Sequence, residues 1–339
     1  MTNPVNIGVI GLGAAWETRY APVLRKFRDR IHVRAVYDPL ASRSEQVATL
    51  WSAAPMRGIL SLLNRKDVRA VLLLDAAWHG PKTLEFACSH KKPVYAAGRL
   101  GCDVHRLQQL HECGVADGIT LMPEMSRRYA PSSARLQELM ATQLGRPQQI
   151  VINATRLSAG NDKLPGAERP ANAANADCDF LVGLIDWCHY VVRTRILSVT
   201  LTRGPSSAAN ELALIIEFAP TRSEQTPVIA ELRIHDESTG TMEAPGESRT
   251  RYDVRCQRGT AVIESTTEIT WQTLAGPTTE VLTSDRADVE VMLDHFCRRV
   301  VGGLIPVADI GDVCRGLEVV RAARDSLQAG EAVSLKGAV

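Results

Sequence analysis

Val5-Asn6-Ile7-Gly8-Val9-Ile10-Gly11-Leu12-Gly13-Ala14-Ala15-Trp16 is the stretch on which the fold turns. The apolar run VNIGVI reads as a buried strand, the glycines as a tight turn, and the pattern from Trp16 to Arg28 as a helix. In that order, Gly11 lets the chain turn sharply and Gly13 lets backbone approach a pyrophosphate at a helix N-terminus. A second apolar run, HVRAVYD, ends at Asp38, whose carboxylate is placed to accept bonds from an adenine-ribose diol. Such an acceptor repels a 2′-phosphate, so NAD is favoured over NADP, with Arg43 a few residues on able to weaken the preference. Trp16 takes the place where a third glycine or alanine usually permits close helix packing, and its indole could block the phosphate site.

Outward from this turn, strands and helices alternate. VRAVLLLD (68–75), a helical stretch to Lys91, KPVYAA (92–97), a further helix and GITLMPE (118–124) predict a doubly wound parallel sheet over residues 1–125. Beyond about residue 126 the alternation gives way to strand candidates at 148–156, 196–203, 211–218, 227–235, 249–257, 260–265 and 278–283. ELRIH and RYDVRC alternate apolar with polar residues, as suits a sheet open on one face. Residues 126–339 are therefore expected to form an α+β domain with a large, mostly antiparallel open sheet. Two helices, near 286–301 and 309–328, close the chain and could pack back on the first domain. An exposed apolar sheet face rarely stays in water, so helices or a second copy should cover it. The segment 157–177, LSAGNDKLPGAERPANAANAD, has no regular period and reads as a mobile loop, with the next helix entering at Cys178 or Asp179.

Composition agrees with two domains and excludes several classes. The 339 residues exceed the roughly 100–200 expected of one domain. With 39 Lys plus Arg against 38 Asp plus Glu, the net charge of +1 attracts neither nucleic acid nor anionic lipid over long range. The N-terminus lacks a signal-peptide pattern, and no apolar run approaches the ~20 residues of a membrane span. Cys88, Cys102, Cys113, Cys178, Cys188, Cys256, Cys297 and Cys314 are widely spaced, without Cys-x-x-Cys, as expected of reduced thiols in a cytoplasmic protein. Asp186 and His189 lie one helical turn apart but lack a third ligand nearby in sequence, so no metal site is expected.

The order of the Gly-Leu-Gly turn, Asp38, VRAVLLLD, KKPVYAAGRLG, SRRYAPSSARLQELM, Gly145-Arg146-Pro147, DFLVGLIDW and GLEVVRAARDSLQAGEAVSL resembles the glucose-fructose oxidoreductase and inositol dehydrogenase (Gfo/Idh/MocA) family from end to end. The resemblance implies a Rossmann domain holding NAD, less readily NADP, at Gly11, Gly13, Ala14, Ala15, Trp16, Asp38, Asp75, Ala76, Ala97 and Gly98. It implies a substrate cleft at Arg99, Arg128, Tyr129 and Gly183, taking a small molecule of the polyol, sugar or sugar-acid class. It also implies homodimers or homotetramers formed through the C-terminal sheet. Family members carry Glu-Lys-Pro where this chain has Ala97-Gly98-Arg99, and Asp-x-Gly-x-His-x-x-Asp where it has Asp179-Phe180-Leu181-Val182-Gly183-Leu184-Ile185-Asp186. The lysine that helps move the substrate proton is thus Gly98, and the histidine facing the nicotinamide is Gly183.

Oxidising an alcohol by hydride transfer releases a proton, and a positioned acceptor is worth ~10²–10⁴ in rate. Glycine offers none, and a guanidinium such as that of Arg99 stays protonated and only holds an anion. The favoured expectation is an NAD(P)-binding family member impaired in ordinary sugar or polyol dehydrogenation. An active oxidoreductase using Asp179, Asp186 or His79 as acid/base is the alternative, and a non-enzymatic regulatory or structural subunit is a third. The bland roles of those residues are a helix cap for Asp179, a structural acceptor for Asp186 and a solvated loop residue for His79.

Overall fold

The computed structural model describes residues 4–98, 100–101, 103–159, 171–203, 211–220, 225–239, 249–283 and 285–335. Strands β1 (Val5–Ile10), β2 (Ile31–Tyr37), β3 (Ala54–Pro55), β4 (Ala70–Leu73), β5 (Val94–Ala96) and β6 (Leu121–Pro123) form a parallel sheet in the order β3-β2-β1-β4-β5-β6. Helices α1 (Ala21–Lys26), α2 (Ala41–Trp51), α3 (Ile59–Leu63), α4 (Ala76–His79), α5 (Pro81–Ser89) and α6 (Val104–Asp117) connect them. All four residues of β4 are buried, as are Ile7, Val9 and Ile10 of β1. Cover on both faces is why these strands read as unbroken apolar runs instead of alternating. The strand order reverses between β1 and β4, so the turn after β1 lies at the topological switch point.

After α7 (Ser126–Tyr129) and α8 (Pro131–Leu139), a second sheet follows. It contains β7 (Pro147–Ala159), then, beyond α9 (Ala171–Val192), β8 (Ile196–Arg203), β9 (Glu211–Phe218), β10 (Val228–Thr239), β11 (Thr250–Cys256), β12 (Gly259–Ser265), β13 (Glu268–Thr273) and β14 (Gly276–Val281), and near the C-terminus β15 (Val333–Ser334). The nine strands run β14-β13-β12-β11-β7-β10-β9-β8-β15, antiparallel throughout except for the parallel pair β7 and β10. Ile150, Ile152 and Ala154 of β7 face inward with Ala230, Leu232 and Ile234 of β10 under α9, while α8 packs over β12 and β13. The opposite face is less apolar than expected. Val151, Ile215 and Ile229 share it with the ion pairs Arg233–Glu231 at 2.7 Å and Arg251–Asp253 at 2.9 Å.

Three sequence expectations need correction in this region. Helix α9 starts at Ala171, seven residues before Cys178, because ANAANAD carries alanines of high helix propensity among the asparagines that suggested a loop. Strand β7 likewise runs on to Ala159, so of the expected loop only 160–170 remains, outside the described residues. Strand β13 was missed, since its inward pair Ile269 and Trp271 is too short a pattern to announce itself.

The chain divides into two compact units, Met1–Ser126 with Ala287–Cys314, and Arg127–Arg286 with Arg315–Val339. The first unit thus includes α10 (Asp288–Val300) and the start of α11 (Ile310–Ala329). Phe296 of α10 is fully buried edge-on to Tyr95 of β5 at 5.9 Å, and the Tyr95 hydroxyl donates to Met292 Sδ at 3.6 Å. Asp288, Glu290 and Asp294 on α10 meet Arg19, Lys26 and Arg30 at 2.6, 2.6 and 2.7 Å. Only Asp294 is buried among the three carboxylates, so its pair with Arg30 orients the helix more firmly than the others, while Arg298 one turn on along α10 shares the same carboxylate. Among the described residues no helix is long and apolar enough to cross a membrane.

Truncating Phe296 to alanine should cost the first unit about 3–5 kcal/mol, the usual penalty for a buried aromatic ring. Urea unfolding checks this, and a loss below about 1 kcal/mol would place α10 outside that core.

Candidate functional site

The glycine turn is shaped by close approach. Gly11 has φ +88°, and a Cβ there would stand 3.1 Å from Asp75 Cβ and 3.2 Å from its amide nitrogen. A side chain would force the ends of β1 and β4 apart. Gly13 is different, with no atom within 4 Å of the Cβ position, and Ala14 and Ala15 beyond it are exposed. The helix starts at Ala14 and widens into a π-helical turn over Trp16–Tyr20. Trp16 is 3% exposed and its ring packs 5.2 Å from Trp51 of α2. The indole therefore points into the core, and the expected obstruction of the turn does not arise from it.

Asp38 clasps this turn from the end of β2. Its Oδ2 accepts from Leu12 N–H at 2.9 Å and its Oδ1 from Leu40 N–H at 3.0 Å. Arg43 Nη1 lies 3.3 and 3.4 Å from the two oxygens. Burial by itself would raise this carboxyl, but the Leu40 and Leu12 amides and the Arg43 charge outweigh it and hold it below the ordinary carboxylate range.

The other expected cofactor positions gather along the same sheet edge. Asp75 is exposed and caps α4, while Ala76 N–H donates to Ala97 O at 3.1 Å, tying the ends of β4 and β5. Gly98 is exposed, has φ +85°, and donates its N–H to Glu124 Oε2 at 3.3 Å. His79 is not a solvated loop residue. It ends α4 half-buried beside Gly11, with its ring 6.0 Å from that of Tyr37. Burial pulls its imidazole below the usual range, against the opposing pull of Asp75 and Asp38. Trp78, which the sequence did not single out, stands 73% exposed on α4. Arg99 lies outside the described residues.

In the second unit two adjacent arginines have different fates. Arg128 is bound to Asp186 side-on through one guanidinium edge, Nε to Oδ2 at 2.7 Å and Nη2 to Oδ1, and both side chains are largely buried. Asp186 is thus the structural acceptor, and Arg128 is held by it instead of reaching for substrate. Asp179 lies inside α9 and not at its start, so it is no helix cap. Tyr129 ends α7 and is partly exposed.

Arg127, by contrast, leans over Gly183. A Cβ at Gly183 would stand 2.8 Å from Arg127 Nη1, so the guanidinium fills the room in which a side chain at 183 would begin. Its Nε donates to the Tyr252 hydroxyl at 3.0 Å, and its Cζ sits 5.4 Å from the Phe180 ring centroid. Tyr252 is itself packed 4.4 Å from the ring of Trp187, whose indole N–H donates to Ser133 at 2.8 Å. Burial raises the Tyr252 phenol above its usual value, opposed by the Arg127 charge. No local pattern singles out Arg127, since its partners come from α9 and β11. Among the described residues no cluster of His, Cys, Asp and Glu could hold a metal ion.

Residues 5–104 match the Gfo/Idh/MocA model, an oxidoreductase family with an NAD-binding Rossmann fold. Solved structures similar over nearly the whole chain include an NAD-binding oxidoreductase from Klebsiella pneumoniae, at 16% identity, covering 98% of this chain and 100% of that one, with TM-score 0.78. GenD2 from gentamicin A biosynthesis, in complex with NAD, aligns at 18% identity over 99% and 98% with TM-score 0.71. UDP-N-acetylglucosamine 3-dehydrogenase GnnA from Acidithiobacillus ferrooxidans aligns at 15% over 97% and 99% with TM-score 0.72. At such identities the likeness is one of fold. No curated protein matches the chain by sequence.

Two outcomes follow from this geometry. Arg128→Met strands the buried Asp186 charge and should destabilise the second unit by about 3–5 kcal/mol, most of which the Arg128→Met/Asp186→Leu pair restores. Because the Asp38 carboxyl is held below its unfolded value of about 3.9, its contribution is complete above that pH and is lost as pH falls through the lower, folded value. Asp38→Asn should therefore flatten the acid dependence of urea midpoints in that window, and an unchanged profile would refute the clasp.

Proposed function

Taking residues 5–104 as a Gfo/Idh/MocA oxidoreductase-family Rossmann domain, we propose that the protein binds NAD(H) and is impaired in ordinary sugar or polyol dehydrogenation. The carrying observation is the guanidinium of Arg127 lying over Gly183, where the family resemblance calls for a histidine. The turn fits a dinucleotide. Open space at Gly13 and exposed backbone at Ala14 and Ala15 suit a pyrophosphate, and Asp38 suits a ribose diol once Arg43 swings aside. Trp78 offers an exposed aromatic surface at the same edge. If Arg43 instead stays and meets a 2′-phosphate, NADP gains, so Arg43→Ala should sharpen the preference for NAD.

A bound nicotinamide would supply hydride transfer, and the missing element is the proton acceptor. Gly98 and Gly183 have no side chain, and the guanidinium of Arg127 carries donors and no acceptor. Asp186 is committed to Arg128, and His79 sits at the glycine turn with Gly11 and Tyr37. Asp179, one turn before Gly183 on α9, is the carboxylate through which an active alternative would run. Assembly as a homodimer or homotetramer through the outward face of the nine-stranded sheet belongs to the same proposal, supported by Val151, Ile215 and Ile229 on that face. A cytoplasmic setting suits the thiols of Cys88, Cys113, Cys188, Cys256 and Cys297.

Calorimetric titration of cofactor-stripped protein with NAD⁺, NADH, NADP⁺ and NADPH tests the binding half, with micromolar affinity and NAD(H) preferred as the expected result. No binding at millimolar cofactor would end it. Restoring the lysine and histidine has a structural obstacle at each place. Lysine at 98 meets a left-handed backbone costing about 1–2 kcal/mol, and histidine at 183 collides with Arg127. Gly98→Lys/Gly183→His should therefore gain little turnover on inositol or sugars until Arg127→Ala is added. Fast turnover by the wild type, lost in Asp179→Asn, would favour the active alternative.

A further inference from the structure

Arg127 has one of its five N–H donors engaged by Tyr252 and its face against Phe180, and no described carboxylate pairs with it. Its four η donors form a planar fork beside a helix position that has no side chain. Such a fork matches the two oxygens of a carboxylate, and the apolar ring at its back and the phenol at its Nε fix its direction before any ligand arrives. Phe180 and Gly183 lie three residues apart on one face of α9, and Tyr252 is anchored through Trp187 to Ser133. The seat thus combines a cation held between a phenol and an aromatic ring with η donors that no described carboxylate takes.

We infer that Arg127, seated over Gly183 between Phe180 and Tyr252, is a carboxylate-binding site, and that the second unit takes an acid in place of a neutral sugar or polyol. This rests on the substrate role proposed above for that unit. Arg127 is the binding residue, while Tyr252 and Phe180 position it. Glycine at 183 leaves the guanidinium in its place, since a methyl group there would stand 2.8 Å from Nη1 and push the end of the Arg127 side chain aside.

The test compares gluconate with glucitol, which share a carbon chain and differ in the terminal carboxylate, by calorimetry on the full chain in low-chloride buffer, with and without NADH. Wild-type protein should prefer gluconate by about tenfold or more, as expected of charge-assisted bonds. Arg127→Gln should bring the two ligands within about twofold of each other, with Arg127→Lys between, since an ammonium keeps the charge and loses the fork. Gly183→Ala should lose the preference while near-ultraviolet circular dichroism stays native, which separates damage to the seat from damage to the fold. Equal or undetectable binding of both ligands by the wild type, or a preference that survives Arg127→Gln, overturns the inference. Tighter binding of glucitol 6-phosphate than of gluconate overturns the carboxylate assignment. NAD⁺ is titrated alongside. A gluconate preference without NAD⁺ binding defeats the cofactor proposal alone, whereas NAD⁺ binding without the preference defeats this one alone.

Discussion

The hydrogen bond from Leu12 N–H to the Asp38 carboxylate ties the glycine turn to the next strand, and much of the first unit's edge is arranged around it. Leu40 N–H takes the other oxygen, so the carboxylate is fixed before any ligand is present. A fixed carboxylate can discriminate, because it does not turn away from a phosphate that approaches it. Its remaining lone pairs face Arg43, whose long side chain is over a third exposed and so can leave or stay. On the proposed reading as a dinucleotide site, the choice between NAD and NADP depends less on Asp38 than on the mobility of its neighbour.

The alternation of strands and helices, the acidic end of β2 and the change to a mostly antiparallel sheet were legible because each is written in periods of a few residues. Where Trp16 points was not. Its ring is decided by Trp51, thirty-five positions away on α2, and by a π-helical turn that gives a bulky residue the width it needs. A local motif tells that glycine is missing there, but not that another helix accepts the ring. The same limit hid the start of α9, where alanine propensity competes with asparagine and proline composition within a single window.

In the second unit the sequence showed which residues were absent but not what fills their place. Gly183 in the middle of a helix costs about 1 kcal/mol relative to alanine, a cost that makes sense only when the tertiary structure uses the vacancy. Arg127 uses it, and it does so from a short helix fifty-six positions earlier. Arg128 carried the recognisable motif, yet burial of Asp186 binds it into the scaffold. The two arginines divide the labour by a one-residue step on α7, which turns one guanidinium to a buried carboxylate and the other to an aromatic ring and a phenol.

Gly98 and Gly183 thus differ in kind, although the family resemblance puts a catalytic side chain at both. At Gly98 the backbone has taken a left-handed conformation that a lysine would resist, while no crowding stands in the way. At Gly183 the backbone is ordinary helix and the obstacle is another side chain. A histidine at 183 would have to push the Arg127 guanidinium aside, since its Cβ would stand 2.8 Å from Nη1. That space is taken by a cation held by a phenol and an aromatic ring, so on the proposed reading this position presents a fixed positive charge where a proton acceptor would stand.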